Sequence, residues 1–162
     1  TIDLKLADWR LTLRVDRIDQ LEEGYLQIID YKTGTTSLQQ WFQERLLSPQ
    51  LPAYCMALSS QPSADAIATL PVAAVSFAQV TKANPTFKGA IDAKSEISDR
   101  KELAKHIPLQ AWSKQIEQWT HQLTSALYSY QQGDAAVDPD PSTQPCQFCA
   151  YSDSCRIKTV LL

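Results

Sequence analysis

Residues 72–80 constrain the fold of this chain more than any other feature, because they are apolar on nearly both faces of a strand. A strand with one wet face alternates apolar and polar residues, whereas a continuous apolar run is typical of a strand in a covered sheet. Of the 162 residues, 44 % are hydrophobic and 20 % are charged, enough for one domain with a real core. We therefore expect an α/β fold with a central sheet and helices packed against it.

Two further strands are predicted near the start of the chain. Residues 9–16 alternate apolar and polar side chains, which is the pattern of a half-buried strand. Residues 25–32 are rich in Ile and Tyr, and a turn is expected between the two segments at residues 22–24. We predict that the two strands pair as an antiparallel hairpin.

Helical patterns follow in three places. Apolar residues recur every three or four positions over residues 38–46. A Ser-Pro pair opens a second predicted helix over residues 48–58, since Ser is a good N-cap and Pro suits the first turn. Residues 112–130 carry the clearest amphipathic pattern, and Gly133 marks its end.

The chain divides into two predicted parts. Residues 1–133 hold the patterned elements, although residues 82–105 are charged and predict no clear element. Residues 134–162 form a cysteine-rich segment that follows an Asp-Pro-Asp-Pro linker, and we expect it to pack on the same domain. The opening at Thr1 reads as the middle of a strand region, so we expect a fragment that lacks N-terminal parts of the domain.

The predicted hairpin brings carboxylates and a lysine together. Asp30 and Lys32 are two apart on a strand and share a face. A turn at residues 22–24 places Asp16 nearly opposite Asp30, with Cβ atoms roughly 5 Å apart. Two carboxylates at that distance repel unless a cation or a shared proton lies between them. Asp16, Asp30 and the backbone carbonyl of Tyr31 therefore suit Mg²⁺, although a weak ion pair on a wet hairpin face is the simpler alternative.

These residues resemble the active-site hairpin of RecB-type nucleases in the PD-(D/E)xK superfamily. Asp16 precedes the segment Ile-Ile-Asp-Tyr-Lys-Thr-Gly at residues 28–34, which is similar to the core motif of that family. The segment Gln-Leu-Pro-Ala-Tyr that follows resembles the family's Gln-x3-Tyr motif, with Gln50 and Tyr54 on one helix face. The resemblance implies that both side chains face the active site and help to place substrate or water.

The resemblance also implies a fold and an activity. The fold is a restriction-endonuclease-like α/β core with a central mixed β-sheet flanked by helices. The activity is Mg²⁺- or Mn²⁺-dependent cleavage of DNA, exonucleolytic or directed at single strands, in recombinational repair. In such a site Asp16 and Asp30 would hold the metal, which would acidify water, and Lys32 would orient that water and offset negative charge.

Three features depart from the family pattern or compete with it. Leu13 stands where the family usually has a glycine, and the histidines, His106 and His121, fall too late to match its early histidine. We interpret His121 as a surface residue and place His106 just before a helix. Asp19 points to the opposite face from Asp16 and is therefore the second choice as a metal ligand.

A cysteine cluster is the second strong feature. Cys146, Cys149 and Cys155 crowd into ten residues, and three thiolates in one loop suit a soft metal or an iron–sulfur cluster. Zinc and a [4Fe–4S] cluster both need a fourth ligand. Cys55 lies on an apolar helix face and is better interpreted as a core residue.

The resemblance extends to this cluster. Iron–sulfur nucleases of the RecB-like group, including AddB-type subunits, have three cysteines after the last helix and a fourth far upstream. The resemblance implies a [4Fe–4S] cluster in the intact protein, with a fourth cysteine before Thr1 and a structural role that staples the tail to the domain. Zn²⁺ is the alternative.

Charge and hydropathy bear on partners and location. The net charge is −3 and the isoelectric point is near 5.3, which counts against a chain that holds DNA by electrostatics alone. We therefore expect other domains of a larger chain, or a helicase partner, to help hold the DNA. No apolar run approaches the roughly 18 residues of a membrane span, and the opening does not resemble a signal peptide, so we expect a cytoplasmic protein.

Two other functions remain open from the sequence. A catalytically inactive nuclease fold could serve DNA-end binding or scaffolding, but such a module has no need of Asp16, Asp30 and Lys32 together. A small zinc-binding interaction domain would explain the cysteines and would leave the hairpin carboxylates without a role.

Overall fold

The computed structural model of the chain describes residues 1–60, 69–80, 85–134, 136–140, 144–147, 149–151 and 154–155. Its residues form two compact units, Thr1–Leu127 and Tyr128–Leu162. In the first unit, β1 (Ile2–Leu6) and β2 (Trp9–Leu13) make a two-stranded antiparallel sheet. A five-stranded sheet follows in sequence order: β3 (Arg17–Gln20), β4 (Leu26–Lys32), β5 (Val72–Gln79), β6 (Thr86–Asp92) and β7 (His106–Leu109).

The apolar run at residues 72–80 becomes the central strand of the larger sheet. β5 is parallel to β4 on one side and antiparallel to β6 on the other, and residues 72–78 are all buried. Because β5 has a paired strand on each edge and is covered on both faces, mostly apolar side chains are favoured along it. The expected mixed sheet with helices against it is confirmed.

The predicted pairing of the first hairpin is wrong. The strand expected over residues 9–16 ends at Leu13 and pairs with β1, and the partner of β4 is β3. The chain leaves regular strand geometry at residues 14–16 and then starts β3, so one long alternating segment serves two sheets. The turn itself is where we predicted it: Leu21 and Tyr25 flank three loop residues, and Gly24 has a φ of +83°, which glycine adopts without strain.

Two α-helices pack against the sheet. α1 (Gln50–Ser60) begins directly after Pro49, as predicted, and residues 51–58 are all buried. α2 (Trp112–Gln131) also matches its prediction, and Gly133, with a φ of +87°, follows its end. In the part of the chain that the structure describes, no helix is long and apolar enough to cross a membrane.

The helix predicted over residues 38–46 is only a 3-10 helix at Leu38–Trp41. The backbone carbonyls that a longer helix would use are taken by side chains of α2. Trp119 donates its indole N–H to the carbonyl of Trp41 (2.8 Å), and Gln122 donates to the carbonyls of residues 43 and 44 (2.7 and 2.9 Å). Tertiary contacts therefore override the local helical pattern here.

The charged stretch at residues 82–105, to which we assigned no element, contains β6 and a short 3-10 helix at Lys101–Leu103; residues 81–84 lie outside the described residues. His106, expected just before a helix, instead opens strand β7. Its neighbour across the sheet is Gly89, where a Cβ atom would lie 1.8 Å from the carbonyl oxygen of Val75. At Gly89, strand β6 is therefore packed too closely against its neighbours to admit any side chain.

The two faces of the large sheet have different cover. The main core lies on the face that bears Ile28, Val75 and Phe77, together with α1, α2 and the β1–β2 hairpin. A smaller core lies on the other face, where Ile97 and Leu103 of the segment between β6 and β7 pack on the sheet. We call these the helix face and the back face.

Candidate active site

The end of β4 carries the central carboxylate. Five consecutive residues of this strand, Leu26 to Asp30, are buried, because β4 lies between β3 and β5 and has cover on both faces. Asp30 closes that buried run and is only 1 % exposed. Lys32, two residues on and on the same side of the strand, places its Nζ 2.7 Å from Oδ2 of Asp30.

Asp16 reaches the same place from a different position than we predicted. It lies in the break before β3, and the β3–β4 ladder ends at the pair Arg17 and Ile29. Continuing that register by one residue places Asp16 opposite Asp30, so the predicted juxtaposition survives although the predicted strand does not. Oδ2 of Asp16 accepts a hydrogen bond from the backbone N–H of Tyr31 (3.1 Å).

A chain of hydrogen bonds connects Lys32 to helix α1 and back to the strand break. The ammonium of Lys32 donates to Oε1 of Gln50 (2.8 Å), and Nε2 of Gln50 donates to the hydroxyl of Tyr54 (2.8 Å). That hydroxyl donates to the backbone carbonyl of Arg14 (2.7 Å). The helix start, the end of β4 and the segment just before Asp16 are thereby fixed relative to one another.

The electrostatics of Asp30 are unfavourable for a lone carboxylate. Burial raises its pKa above the ordinary value, and the ammonium of Lys32 opposes that rise. The Asp16 carboxylate raises the pKa of Asp30 further, because two negative charges are close to each other. This repulsion is what a cation between the two carboxylates would relieve.

The donor atoms at this site fit a hard divalent cation. Within the described residues, neither carboxylate oxygen of Asp30 has a hydrogen-bond partner, and the contact with Lys32 is an ion pair without hydrogen-bond geometry. The N–H and C=O of one strand residue point to the same edge, so the carbonyl of Tyr31 points toward the Asp16 side. Two carboxylates and a carbonyl are ligands that Mg²⁺ and Mn²⁺ accept.

The cysteines fall into two groups. Cys55 is buried in α1, and burial raises the pKa of its thiol to about 12, which agrees with the prediction of a core residue. Cys146, Cys149 and Cys155 are free thiols in the turns of the second unit. Across the described ranges, no group of three or more His, Cys, Asp or Glu side chains is placed to hold a metal ion, so the three thiols do not form a ready site.

Two contacts at the site were not anticipated from the sequence. The backbone carbonyl of Arg14 ends the hydrogen-bond chain, which no side-chain pattern could reveal. Arg17 holds Asp19 on the back face and donates to the hydroxyl of Tyr31 (3.2 Å). The Arg-x-Asp spacing on a strand was a usable signal for this second contact, because such residues share a face.

Comparison with known proteins adds an independent finding. Residues 2–156 match the family model described as the PD-(D/E)XK nuclease superfamily. No curated protein and no solved structure gives a significant match to the chain.

Proposed function

The chain belongs to the PD-(D/E)XK nuclease superfamily, whose model covers residues 2–156, and from this premise we propose that it is a Mg²⁺- or Mn²⁺-dependent deoxyribonuclease. The observation that supports this most directly is the pair Asp16 and Asp30 beside Lys32 at one strand end. A buried carboxylate is costly to keep in a fold, and among the described residues the Asp30 oxygens have no hydrogen-bond donor, a cost that a metal site accounts for.

We propose that Asp16, Asp30 and the carbonyl of Tyr31 hold the divalent ion. When bound, such an ion acidifies water and offsets negative charge on a phosphate. Lys32 has three N–H donors and donates one of them to Gln50, while its ion pair with Asp30 keeps the ammonium beside the carboxylates. A remaining donor can hold the attacking water or a phosphate oxygen, and the link to Gln50 and Tyr54 keeps the ammonium in place.

The finer parts of the proposal concern substrate and setting. We propose that DNA is cut exonucleolytically or on single strands, in recombinational repair, and in the cytoplasm. We propose that other domains of a larger chain, or a helicase partner, supply the positive surface that binds DNA, because this chain has a net charge of −3. The free cysteines suit the reducing cytoplasm.

The test is cleavage of labelled single-stranded DNA with Mn²⁺ by the wild type, Asp30→Ala and Asp99→Ala. Asp99 is exposed and far from β4 in sequence, so it controls for loss of one carboxylate. We expect Asp30→Ala to lose cleavage by about 100- to 1000-fold, the range typical of removing one charge-stabilising group from an active site, and Asp99→Ala to keep it. Equal cleavage by both variants would refute the assignment.

The same assay decides the alternative of an inactive DNA-end-binding or scaffolding module. Such a module would bind DNA ends and cleave nothing, with or without Mn²⁺. Binding without cleavage by the wild type, in a preparation with a cooperative thermal transition, would favour it over the nuclease.

A second proposal concerns the tail. We propose that the intact protein carries a [4Fe–4S] cluster on Cys146, Cys149, Cys155 and a cysteine upstream of Thr1, with Zn²⁺ as the alternative. Its support is the Cys-x2-Cys-x5-Cys spacing, since the thiols do not converge in this structure. Anaerobic purification of a longer chain should give a brown protein with about four irons per chain. Stoichiometric zinc would contradict the iron–sulfur cluster but would still support a structural metal centre that joins the tail to the domain.

A further inference from the structure

Tyr31 occupies an unusual position in the site. Its backbone lies between Asp30 and Lys32, and its side chain projects to the back face, away from the proposed metal. The β3–β4 ladder ends at Ile29, two residues earlier, so no strand partner holds the β3-facing edge of Tyr31. Yet this edge carries the N–H that binds Asp16 and the carbonyl proposed as a ligand.

Arg17 supplies a replacement for the missing ladder bonds. Its Nε and Nη2 donate to the two carboxylate oxygens of Asp19 (2.6 and 2.7 Å), which fixes the planar guanidinium as a fork. The remaining Nη1 donates to the hydroxyl of Tyr31 (3.2 Å). Arg17 faces Ile29 in the register, so Tyr31 is its diagonal neighbour, a distance that long side chains span.

Successive residues thus hold Tyr31 from opposite ends. Asp16 accepts a hydrogen bond from its backbone N–H on one side, and Arg17 donates to its hydroxyl on the back face. The tyrosine ring is 46 % exposed, so packing alone does not fix it. β5 pairs with the other edge of β4 as far as Lys32, so the Arg17 contact acts on the β3-facing edge of Tyr31, which carries the proposed ligand carbonyl.

We propose that the Arg17–Asp19 pair, acting through the Tyr31 hydroxyl, positions the end of β4 for divalent-metal binding from the opposite side of the sheet. Arg17 and Asp19 are positioning residues, because neither is a proposed metal ligand and both side chains lie on the back face. This inference rests on the proposed metal site at Asp16 and Asp30 and extends it to residues with no ligand role.

The experiment is direct Mn²⁺ binding by the full chain without DNA, measured by the EPR signal of free Mn²⁺. Tyr31→Phe removes one oxygen atom and leaves the ring, so it tests the contact with little risk to folding. We expect Mn²⁺ to bind about two- to tenfold more weakly, the range expected for the loss of one net hydrogen bond. Cleavage by this variant should fall at low Mn²⁺ and recover at saturating Mn²⁺.

Arg17→Lys separates positioning from simple charge. A lysine keeps the positive charge but cannot hold Asp19 and Tyr31 together in one planar fork, so it should bind Mn²⁺ as weakly as Tyr31→Phe. Arg10→Ala is the matched control, since Arg10 forms a comparable exposed pair with Asp3 in the β1–β2 sheet. It should bind Mn²⁺ like the wild type.

The outcomes separate this inference from the function on which it rests. Wild-type Mn²⁺ affinity in either Tyr31→Phe or Arg17→Lys would overturn the positioning role and leave the metal site unaffected. If the wild type binds no more Mn²⁺ than Asp30→Ala does, the metal site fails and this inference fails with it. Weaker binding by both back-face variants, with Arg10→Ala unchanged, supports the inference.

Discussion

Asp30 combines two demands that oppose each other at the scale of one residue. Its position at the end of a buried strand suits an apolar side chain, and its proposed chemistry requires a carboxylate. Its pKa is raised in the fold, chiefly by burial, so its ionisation weakens the native state as pH rises above the ordinary pKa. Function is therefore expected to cost stability here.

We predict that Asp30→Asn is more stable than the wild type when no divalent metal is present. The uncharged amide removes the repulsion from Asp16, and the gain should be about 0.5–2 kcal/mol, or a few degrees in Tm. Mn²⁺ should raise the Tm of the wild type, because it binds the native site, and should leave Asp30→Asn unchanged. Thermal scans with Mn²⁺ and with EDTA measure both effects. A variant that is less stable than the wild type in EDTA would contradict this account.

Arg14 lies two residues before Asp16, and we predict that it contacts DNA near the carboxylates. Its backbone is fixed by Tyr54, it is exposed like Asp16 two residues on, and within the described residues its guanidinium has no ion-pair partner. We predict that Arg14→Ala weakens single-stranded DNA binding and reduces the slope of log Kd against log salt by about one. The control Arg10→Ala, on β2, should leave the slope unchanged. A slope that does not change in Arg14→Ala would exclude a phosphate contact.

At the scale of elements, sequence patterns succeeded where local pattern and tertiary packing agree. β5 and α2 each bury a continuous or periodic apolar surface, and their predicted bounds lie within a few residues of the observed ones. Residues 38–46 have a helical pattern, but α2 binds their carbonyls and prevents a longer helix. Alternation over residues 9–16 gave the right residue faces and the wrong partner, because alternation does not encode which strand pairs with which.

The candidate site was predictable for a related reason. Strand alternation placed Asp30 with Lys32, and helix spacing placed Gln50 with Tyr54, so four side chains could be paired by local geometry. The carbonyl of Arg14 and the order of β5, β6 and β7 depend on long-range packing, and sequence spacing contains no signal for either. The roles of these residues in catalysis stay predictions until the cleavage assay is done.

Gly89 tests how tightly β5, β6 and β7 are packed. A Cβ atom at this position would lie 1.8 Å from the Val75 carbonyl oxygen and 2.9 Å from Cδ2 of His106. We predict that Gly89→Ala destabilises the chain by at least about 3 kcal/mol, because backbone on one side and a buried ring on the other cannot move aside. Gly34→Ala is the control, since no heavy atom lies within 4 Å of its Cβ position, and it should change stability by less than about 0.5 kcal/mol. Urea unfolding midpoints provide the comparison.

At the scale of the whole molecule, a buried polar network joins three strands on the back face. Gln27 on β4 donates to the hydroxyl of Ser76 on β5 (2.8 Å), and that hydroxyl lies 2.6 Å from Nε2 of His106 on β7. Nδ1 of His106 lies 3.1 Å from the carbonyl of Leu103, which can only accept, so Nδ1 carries the proton and Nε2 accepts from Ser76. The Ser76 hydroxyl can donate to Nε2 of His106 only when the imidazole is neutral.

We predict that this network makes stability fall in mild acid. Burial lowers the pKa of His106 from 6.5 to about 4, so the unfolded chain takes up the proton first as pH falls. The contribution is complete above pH 6.5 and is lost as pH falls toward 4, with a limit of roughly 3 kcal/mol. Asp30 has the opposite effect, because its raised pKa makes stability increase as pH falls. The contribution of His106 is therefore isolated by the difference in unfolding free energy between the wild type and His106→Gln. That difference should shrink between pH 6.5 and 4, whereas His121→Gln, at an exposed helix position, should track the wild type throughout.

The turn at Gly24 has a consequence for the order in which the molecule folds. A three-residue loop separates Asp16, which precedes it, from Asp30 and Tyr31, which follow it. Closing this loop costs little chain entropy and takes microseconds. Pairing of β4 with β5 instead joins Ile28 to Val75, across a much longer stretch of chain. We therefore expect the acidic residues to meet in a solvated hairpin first and the sheet to close over Asp30 afterwards. The folding chain must dehydrate Asp30 beside the exposed Asp16 at that late step, so we expect closure of the sheet to be the stage most sensitive to divalent ions.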